Sequence, residues 1–242
     1  MTSSRTPPDY SGLKAVFINC SLKADNAESH TQILMNASIK LMEGAGVSVT
    51  NIHLRDHNVA FGVQPDMTEH GADVDDWPGL WATINAAHIL VIGTPIWLGE
   101  PSSMCRLLIE RLYAMSGELN DDGQSIYYGK VGGVIVTGNE DGVKQCATSI
   151  LYALSHLGCT IPPQADCGWI GPIGPGPSYG DKANDGSIVG ADSEFAQRNT
   201  TIMSWNLMHL ASLLKPGIPA YGNDREAWQD GNRFGFENPE YR

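Results

Sequence analysis

A loop rich in hydroxyl groups follows an apolar run at residues 16–18 and precedes a helix-like pattern. The start of a helix presents N–H groups without intrahelical partners and a partial positive charge. With added hydroxyl and cationic donors, such a loop can hold a phosphate group without a cluster of cations. The same side chains also fit simple helix capping, with a serine or threonine as the N-cap, and the loop alone favours neither interpretation. The residues concerned are Ser21, Lys23, Ser29, His30 and Thr31.

This loop lacks two well-known phosphate-binding patterns. It contains no G-x-x-x-x-G-K-[ST], which disfavours a nucleoside-triphosphate P-loop. It also contains no G-x-G-x-x-G, which disfavours a dinucleotide-binding fingerprint.

A second loop, Thr94-Pro95-Ile96-Trp97-Leu98-Gly99, follows a strongly apolar segment at 87–95. It combines a rigid turn, a large aromatic side chain and a glycine. A planar heteroaromatic ligand needs a flat apolar wall and backbone groups that reach the polar atoms at its edge. Trp97 can supply that wall, although a tryptophan packed in the core would give the same sequence.

A third loop, Thr137-Gly138-Asn139-Glu140-Asp141-Gly142, also follows an apolar segment. Its small residues allow the backbone to approach the edge of a ring closely. Considered alone, it is an ordinary polar turn.

The elements that position these loops alternate between strand-like and helix-like periods. This alternation predicts an α/β fold with a doubly wound parallel sheet, whose strands share one carboxyl edge where ligands bind. The three loops are therefore expected to converge on one site. Strands are predicted at 14–19, 47–52, 87–95, 131–137 and within 160–168, and helices at 31–45, 77–87, 101–115, 143–158 and 193–214.

Composition limits the class of protein. The chain has 242 residues, an apolar fraction of 42% and a net charge of −12, which fit one large domain and argue against general nucleic-acid binding. Five cysteines without a C-x-x-C pair make a disulfide framework improbable and predict a cytoplasmic location. The lack of a long apolar run predicts no membrane insertion.

Three regions are predicted along the chain. Residues 1–12 are expected to form a flexible arm, residues 13–214 the ligand-binding domain, and residues 215–242 an aromatic tail. The aromatic residues of the tail predict that it packs on the domain or on a partner subunit. Residues 55–76 form an acidic insert that is expected to be a solvated connection.

Taken together, the motifs resemble the flavodoxin-like NAD(P)H-dependent FMN reductase family, including its multimeric-flavodoxin and quinone-reductase branches. The motifs are N-C-S-L-K-x(5)-S-H-T at 19–31, G-T-P-I-W-L-G-E-P-S-S at 93–103 and V-T-G-N-E-D-G at 136–142. The stretch GWIGPIGPGPSYGD at 168–181 is similar to a late segment of that group. The similarity covers residues 14–214.

This resemblance implies a five-stranded parallel sheet in the order 2-1-3-4-5, with FMN at the carboxyl edge. It assigns the FMN phosphate to the first loop, the isoalloxazine to the second loop and the other ring edge to the third. Because the flavin carries the chemistry, it implies no catalytic side chain and no metal ligand. The implied flavin-binding residues are Ser21, Lys23, Ser29, His30, Thr31, Thr94, Pro95, Ile96, Trp97, Leu98, Gly99, Thr137, Gly138, Asn139, Gly142 and Tyr179.

The implied activity is that of an FMN-dependent NAD(P)H oxidoreductase. Electrons would pass from NADPH or NADH through flavin N5 to a quinone-like or other small acceptor. The family likeness also implies a homodimer or a homotetramer. An alternative is a flavodoxin-type electron carrier, whose acidic surface docks a redox partner.

Other classes of site find less support in the sequence. An iron–sulfur flavoprotein needs clustered cysteines, and the closest pair, Cys159 and Cys167, has no two companions nearby. A serine hydrolase of the α/β-hydrolase type needs a G-x-S-x-G elbow, which is missing. The group His53, His57, His70 and Asp73 matches no established spacing of metal ligands.

Overall fold

A computed structural model of the chain describes residues 7–172, 174 and 176–236. Five strands form a parallel sheet in the order β2-β1-β3-β5-β6, and β4 is a short strand antiparallel to the end of β3. Without β4 the order is 2-1-3-4-5, so the predicted flavodoxin-like topology is confirmed. The strands are β1 (Lys14–Asn19), β2 (Ser48–His53), β3 (Ile89–Trp97), β4 (Glu100–Pro101), β5 (Val131–Gly138) and β6 (Asp166–Ile170).

Helices cover both faces of this sheet. Successive side chains of a strand point to opposite faces, so β1 contributes to two cores. Ala15 and Phe17 pack with α1 and α5, whereas Val16 and Ile18 pack with α2, α3 and α4. The helices are α1 (His30–Gly44), α2 (Trp77–Asn85), α3 (Ser103–Ala114), α4 (Val143–Leu157), α5 (Glu194–Leu214) and α6 (Arg225–Gln229). Among the helices of the described residues, none combines the length and apolar character needed to span a lipid bilayer.

Serine side chains fix where three of these helices begin. Ser29 accepts a hydrogen bond from the N–H of Gln32 at α1, and Ser102 accepts one from Cys105 at α3. Ser193 accepts a hydrogen bond from the N–H of Ala196 at α5. Each serine satisfies one of the amides that a helix start leaves without a partner.

The last parallel strand lies slightly later than predicted. It was expected within 160–168, but β6 spans Asp166–Ile170. Thr160 makes only an isolated bridge to Val131, and Pro162 and Pro163 then follow. Because proline has no N–H to donate, the ladder cannot continue until after these two residues.

The acidic insert is anchored to the domain by a buried ion pair and is not simply a solvated connection. Arg111 of α3 lies 2.7 Å from the carboxylate of Asp75, and both side chains are fully buried. Asp75 also accepts hydrogen bonds from the N–H groups of Ala60, Met67 and Trp77. The acidic residues of the insert are visible in the sequence, but the sequence does not reveal that Arg111, on another element, pairs with one of them.

All five cysteines are buried free thiols. Burial raises the pKa of Cys146, Cys159 and Cys167 to about 12, so these thiols stay protonated at neutral pH.

Both ends of the described chain contact the domain. Tyr10, within the predicted flexible arm, is buried, and its hydroxyl group hydrogen-bonds with His209 of α5. In the tail, the carbonyl oxygens of Ile218 and Pro219 accept hydrogen bonds from the side-chain amide of Gln124. The rest of both predictions, at residues 1–6 and 237–242, lies outside the described residues.

Candidate functional site

The loops after β1, β3 and β5 border one cavity of about 780 Å³ at the carboxyl edge of the sheet. The strand order reverses beside it, between β1 and β3, where open α/β sheets bind ligands. A segment after β6 completes the lining. The lining residues are Ser21, Leu22, Lys23, His30, Thr31, Pro95, Ile96, Trp97, Thr137, Gly138, Asn139, Glu140, Gly174, Gly176, Ser178 and Tyr179.

The start of α1 forms the polar end of this cavity. The amides of His30 and Thr31 are the first two of the helix, so they have no intrahelical acceptor. The side chain of Thr31 is buried, and its hydroxyl oxygen lies 2.7 Å from that of Thr137 on β5. This hydrogen bond joins the first and third loops directly.

Lys23 is the one lysine or arginine among the described lining residues. Its ammonium nitrogen donates to the carbonyl oxygen of Glu28 at 2.7 Å and lies 3.1 Å from Nε2 of His30. The other ring nitrogen of His30, Nδ1, lies 2.9 Å from the carbonyl oxygen of Tyr179. The imidazole therefore contacts protein groups at both nitrogens.

The end of β2 supports the first loop from outside the cavity. Arg55 donates a hydrogen bond to the carbonyl oxygen of Leu22, and Nε2 of His53 lies 3.4 Å from that of Ser21. Nδ1 of His53 lies 3.0 Å from the carboxylate of Asp56. Both ring nitrogens of His53 thus contact neighbouring protein groups.

The second loop supplies an apolar wall. Ile96 is buried, whereas Trp97 is 55% exposed and lines the cavity. Trp97 is therefore not a core residue, and that alternative interpretation of the loop is wrong. A β-carbon added to Gly138 would lie only 2.2 Å from Cγ2 of Ile96, so glycine lets the second and third loops touch.

The side chain of Asn139 holds the late segment in place. Its Nδ2 donates to the carbonyl oxygens of Gly176 and Pro177 at 3.2 and 3.0 Å. Its Oδ1 accepts a hydrogen bond from the hydroxyl of Ser178 at 3.2 Å. Because the amide is used in this way, it is the backbone of Asn139 that remains for a ligand.

Tyr179 reaches the cavity from this late segment. Its ring packs against Trp169 with 5.8 Å between ring centroids, and Gly190 lies against both rings. Burial raises the pKa of Tyr179, so the phenol is neutral.

Two of the predicted flavin-binding hydroxyl residues do not line the cavity. Ser29 is fully buried as the N-cap of α1 and also accepts a hydrogen bond from Asn19. Thr94 is fully buried too, and its hydroxyl oxygen accepts a hydrogen bond from the N–H of Ser102 at 3.1 Å. In both cases the hydroxyl oxygen accepts a hydrogen bond from the backbone at the start of a helix next to the site.

Leu98, Gly99 and Gly142 are likewise absent from the lining. Leu98 and Gly99, with φ of 52° and 79°, form the turn between Trp97 and Glu100, the last pair of the short β3–β4 ladder. Leu98 is 92% exposed at the tip of that turn. A β-carbon on Gly142 would lie 3.2 Å from Cα of Gly99, so these glycines serve loop-to-loop packing. Five of the sixteen predicted residues thus lie outside the lining.

Sequence reasoning missed five lining residues. Leu22 and Glu140 are neighbours of predicted residues. The other three belong to the Gly- and Pro-rich stretch at 168–181, whose resemblance to a late family segment was the available signal. The missed residues are Leu22, Glu140, Gly174, Gly176 and Ser178.

Comparison with known proteins identifies the family. The sequence profile described as NADPH-dependent FMN reductase matches residues 13–168. The chain belongs to this family. The likeness stated from the motifs is therefore confirmed.

Relatives and solved structures extend this assignment. The 8-demethyl-8-aminoriboflavin-5'-phosphate synthase of Streptomyces davaonensis is 34% identical over 223 residues, which cover 89% of this chain and 82% of that protein. A crystal structure of RosB with a bound intermediate, 8-demethyl-8-formylriboflavin-5'-phosphate, is 31% identical with a TM-score of 0.78. It covers 95% of this chain and 94% of that one. The FMN reductase family member described here therefore resembles proteins that handle flavin phosphates.

Another relative is a longer protein. The divalent metal cation transporter MntH of Mycobacterium bovis is 52% identical over 213 residues. The match covers 88% of this chain but only 31% of that protein. The chain thus spans less than a third of this relative's length.

The donor set of the cavity fits FMN. At one end are the amides at the start of α1, the hydroxyl group of Ser21 and the ammonium of Lys23, which suit a phosphate dianion. At the other end are the apolar side chains of Ile96 and Trp97, which suit a planar ring. Within the described lining the one carboxylate is that of Glu140, on the third loop and not on the first.

Proposed function

We propose that this protein holds FMN in the cavity and uses it to oxidise NADPH or NADH and reduce a small acceptor such as a quinone. One observation carries the proposal: a phosphate-suited helix start and an apolar wall border the same cavity in a chain of the NADPH-dependent FMN reductase family. When bound, FMN supplies the two-electron redox chemistry that links the nicotinamide to the acceptor.

The first loop would hold the phosphate. The amides of His30 and Thr31 point from the start of α1, and the hydroxyl group of Ser21 can donate beside them. Lys23 adds the positive charge. Because most of these donors are backbone or hydroxyl groups, the site can bind an anion although the chain carries a net charge of −12.

The second and third loops would orient the ring. Ile96 and Trp97 exclude water from one side of it, and Gly138 brings backbone groups close to its edge. The backbone N–H groups in these loops are fixed dipoles that can stabilise negative charge developing on the ring. The half-exposed Trp97 lies toward solvent, where a nicotinamide or an acceptor would enter.

The proposal is tested by titrating the purified protein with FMN and with riboflavin, followed by anaerobic mixing with NADPH or NADH. We expect FMN to bind more tightly than riboflavin and its visible absorbance to bleach with at least one nicotinamide. Lys23→Met should weaken FMN binding by about tenfold and leave riboflavin binding unchanged, because only FMN carries the phosphate.

A protein that binds no FMN when FMN is supplied in excess would overturn the proposal. An FMN-loaded protein that neither nicotinamide bleaches would favour the electron-carrier alternative.

A second candidate function is a reaction in which the flavin phosphate is the substrate. It is favoured by the similarity to a synthase of an aminoriboflavin phosphate and to RosB, which extends over most of each chain. Mass spectrometry of the flavin recovered after prolonged turnover distinguishes the two. An unchanged mass supports a cofactor, whereas a changed mass supports chemistry on the ring system.

A further inference from the structure

His30 connects two parts of the cavity that lie far apart in the sequence. It is the first residue of α1. Its Nδ1 lies 2.9 Å from the carbonyl oxygen of Tyr179, which is 149 residues away, and its Nε2 lies 3.1 Å from the ammonium of Lys23. One imidazole thus joins the first loop to the segment that follows β6.

These contacts fix which ring nitrogen carries the proton. A carbonyl oxygen can only accept a hydrogen bond, so Nδ1 of His30 must donate to Tyr179. An ammonium group can only donate, so Nε2 must accept from Lys23. The hydrogen bonds therefore assign the neutral imidazole with its proton on Nδ1.

The Lys23 ammonium also has a hydrogen-bond donor that these contacts do not use. The group has three N–H donors. One is directed to the carbonyl oxygen of Glu28 at 2.7 Å and one to His30. The third has no acceptor among the described residues and can serve a ligand, since Lys23 lines the cavity. His30 and Glu28 therefore limit the directions in which this charge can point.

Tyr179 belongs to a hairpin that covers this end of the site, residues 178–190. The N–H of Gly180 donates to the carbonyl oxygen of Val189, and the N–H of Val189 donates to that of Asp181, both at 2.9 Å. The carboxylate of Asp181 accepts from the N–H of Ser178 at 2.7 Å and lies 3.6 Å from Nδ1 of His30. Lys23 and Asp181 are thus the charged groups that face the imidazole, one from each side.

We infer that His30 is a positioning residue that selects a phosphate-bearing flavin by aiming Lys23 and tying the 178–190 hairpin to the first loop. This inference rests on the proposed function, since it takes the flavin phosphate as the partner of Lys23. A phosphate that binds the third N–H of Lys23 also fixes His30 and, through it, Tyr179. By linkage, FMN should therefore protect the hairpin more than riboflavin does.

Two amide substitutions separate the two contacts. His30→Asn places an N–H near the position of Nδ1, so it can keep the bond to Tyr179 but does not reach Lys23. His30→Gln places an amide oxygen near the position of Nε2, so it can keep the contact with Lys23 but has no donor for Tyr179. Each variant is the control for the other, and neither changes the net charge.

The readouts are dissociation constants for FMN and riboflavin, from quenching of flavin fluorescence, and hydrogen–deuterium exchange of residues 178–190. In His30→Asn we expect FMN binding to weaken by about tenfold with riboflavin binding unchanged, since the phosphate loses an oriented charged donor. Its hairpin should exchange as in the wild type. In His30→Gln we expect FMN binding to change by less than about threefold, and the hairpin to exchange faster.

The outcomes distinguish this inference from the proposed function. A wild-type protein that binds FMN no better than riboflavin contradicts the phosphate site of the proposed function itself. If the wild type prefers FMN and both variants bind the two flavins as it does, the positioning role of His30 is overturned and the proposed function stands. The role is also overturned if both variants lose both flavins equally and both loosen the hairpin, because that pattern indicates general structural damage.

Discussion

Gly138, the last residue of β5, shows how a single position governs the width of the cavity. A β-carbon there would require Ile96 to move, and Ile96 is part of the apolar wall. Gly138→Ala is therefore expected to weaken FMN binding by roughly tenfold or more, because the wall and the third loop must separate. Fluorescence titration with FMN measures the effect.

Gly44 at the end of α1 provides the matched control for this substitution, because an added β-carbon meets nothing within 4 Å. Gly44→Ala should leave FMN binding unchanged and stabilise the fold by about 0.5–1 kcal/mol. Equal FMN affinity in the Gly138→Ala variant and the wild type would show that the two loops are not in fixed contact.

Lys130 makes stability depend on pH. Its buried ammonium donates hydrogen bonds to the carbonyl oxygens of Asn85 and Ala87 at the end of α2. Burial lowers the pKa of Lys130 from the ordinary 10.5 to about 8. Between these values the unfolded chain binds more protons than the folded one, so the free energy of unfolding should rise as pH increases from about 8 to 10.5. Below about pH 8 Lys130 is protonated in both the folded and the unfolded state, so it adds no pH dependence there.

The lowered pKa of Lys130 corresponds to a rise in the free energy of unfolding of at most about 3 kcal/mol across this range. This value is an upper limit because the two carbonyl acceptors favour the charged ammonium and so oppose the effect of desolvation. Urea unfolding across this pH range measures the slope. Lys130→Met keeps a long apolar side chain but cannot titrate, so its curve should lack the component. The same pH dependence in both proteins would assign the slope to other groups.

The individual residues of the site were only partly predictable. Ser21 and Ser29 lie in one loop and offer the same hydroxyl group, yet Ser21 lines the cavity and Ser29 caps α1. Binding an anion and capping a helix require the same chemistry, and only the path of the backbone decides between them. Asn139 was predicted from its loop, but no local pattern reveals that its amide holds Gly176 and Pro177.

At the scale of elements, the acidic insert depends on the pair formed by Asp75 and Arg111. Asp75→Asn removes the countercharge of a fully buried guanidinium, so it should lower the free energy of unfolding by about 3–5 kcal/mol. The insert should also become more sensitive to proteolysis, since Asp75 accepts from the N–H groups of Ala60 and Met67. Urea unfolding and limited proteolysis provide the measurements.

A double variant tests whether an unpaired charge causes this loss. Asp75→Asn combined with Arg111→Met leaves no buried charge, so it should be more stable than Asp75→Asn alone. If the double variant is instead less stable by the sum of the two single effects, the ion pair is not what holds the insert.

The centre of the sheet was predictable because β1, β3 and β5 are buried over most of their length. Ile89 to Ile92 is buried on both faces, and only a central parallel strand gives such a run. The hairpin at 178–190 has no apolar period of its own. Its position is set by contacts between Tyr179, Trp169 and His30, which are remote in sequence. Such contacts leave no local signal, so the hairpin was not predicted, and the resemblance at 168–181 reaches only its first residues.

At the scale of the whole molecule, the proposed flavin site and the tail occupy opposite edges of the sheet. The cavity lies at the carboxyl ends of β1, β3 and β5. The tail instead contacts Gln124 and Ser116, which follow the end of α3, and a helix that begins at the carboxyl edge ends at the amino edge. Within the described residues, the tail therefore has no part in the cavity of its own chain.

Removing residues 217–242 should accordingly separate stability from flavin binding. Gln124 is buried, and its amide would lose acceptors at Ile218, Pro219 and Asn223, so we expect the free energy of unfolding to fall by about 1–3 kcal/mol. FMN affinity should change by less than about twofold, because no described tail residue lines the cavity. Urea unfolding and fluorescence titration measure the two quantities.

The truncated chain also tests the predicted homodimer or homotetramer. Tyr221 and Phe236 are more than half exposed at the surface of the tail, where a second subunit could cover them. Light scattering should then give fewer subunits per particle for the truncated chain than for the full one. Gln124→Leu in the full chain is the control, because it removes the anchor but keeps the aromatic surface. If the truncated chain keeps the number of subunits of the full chain, the tail does not hold the subunits together and the predicted contact is contradicted.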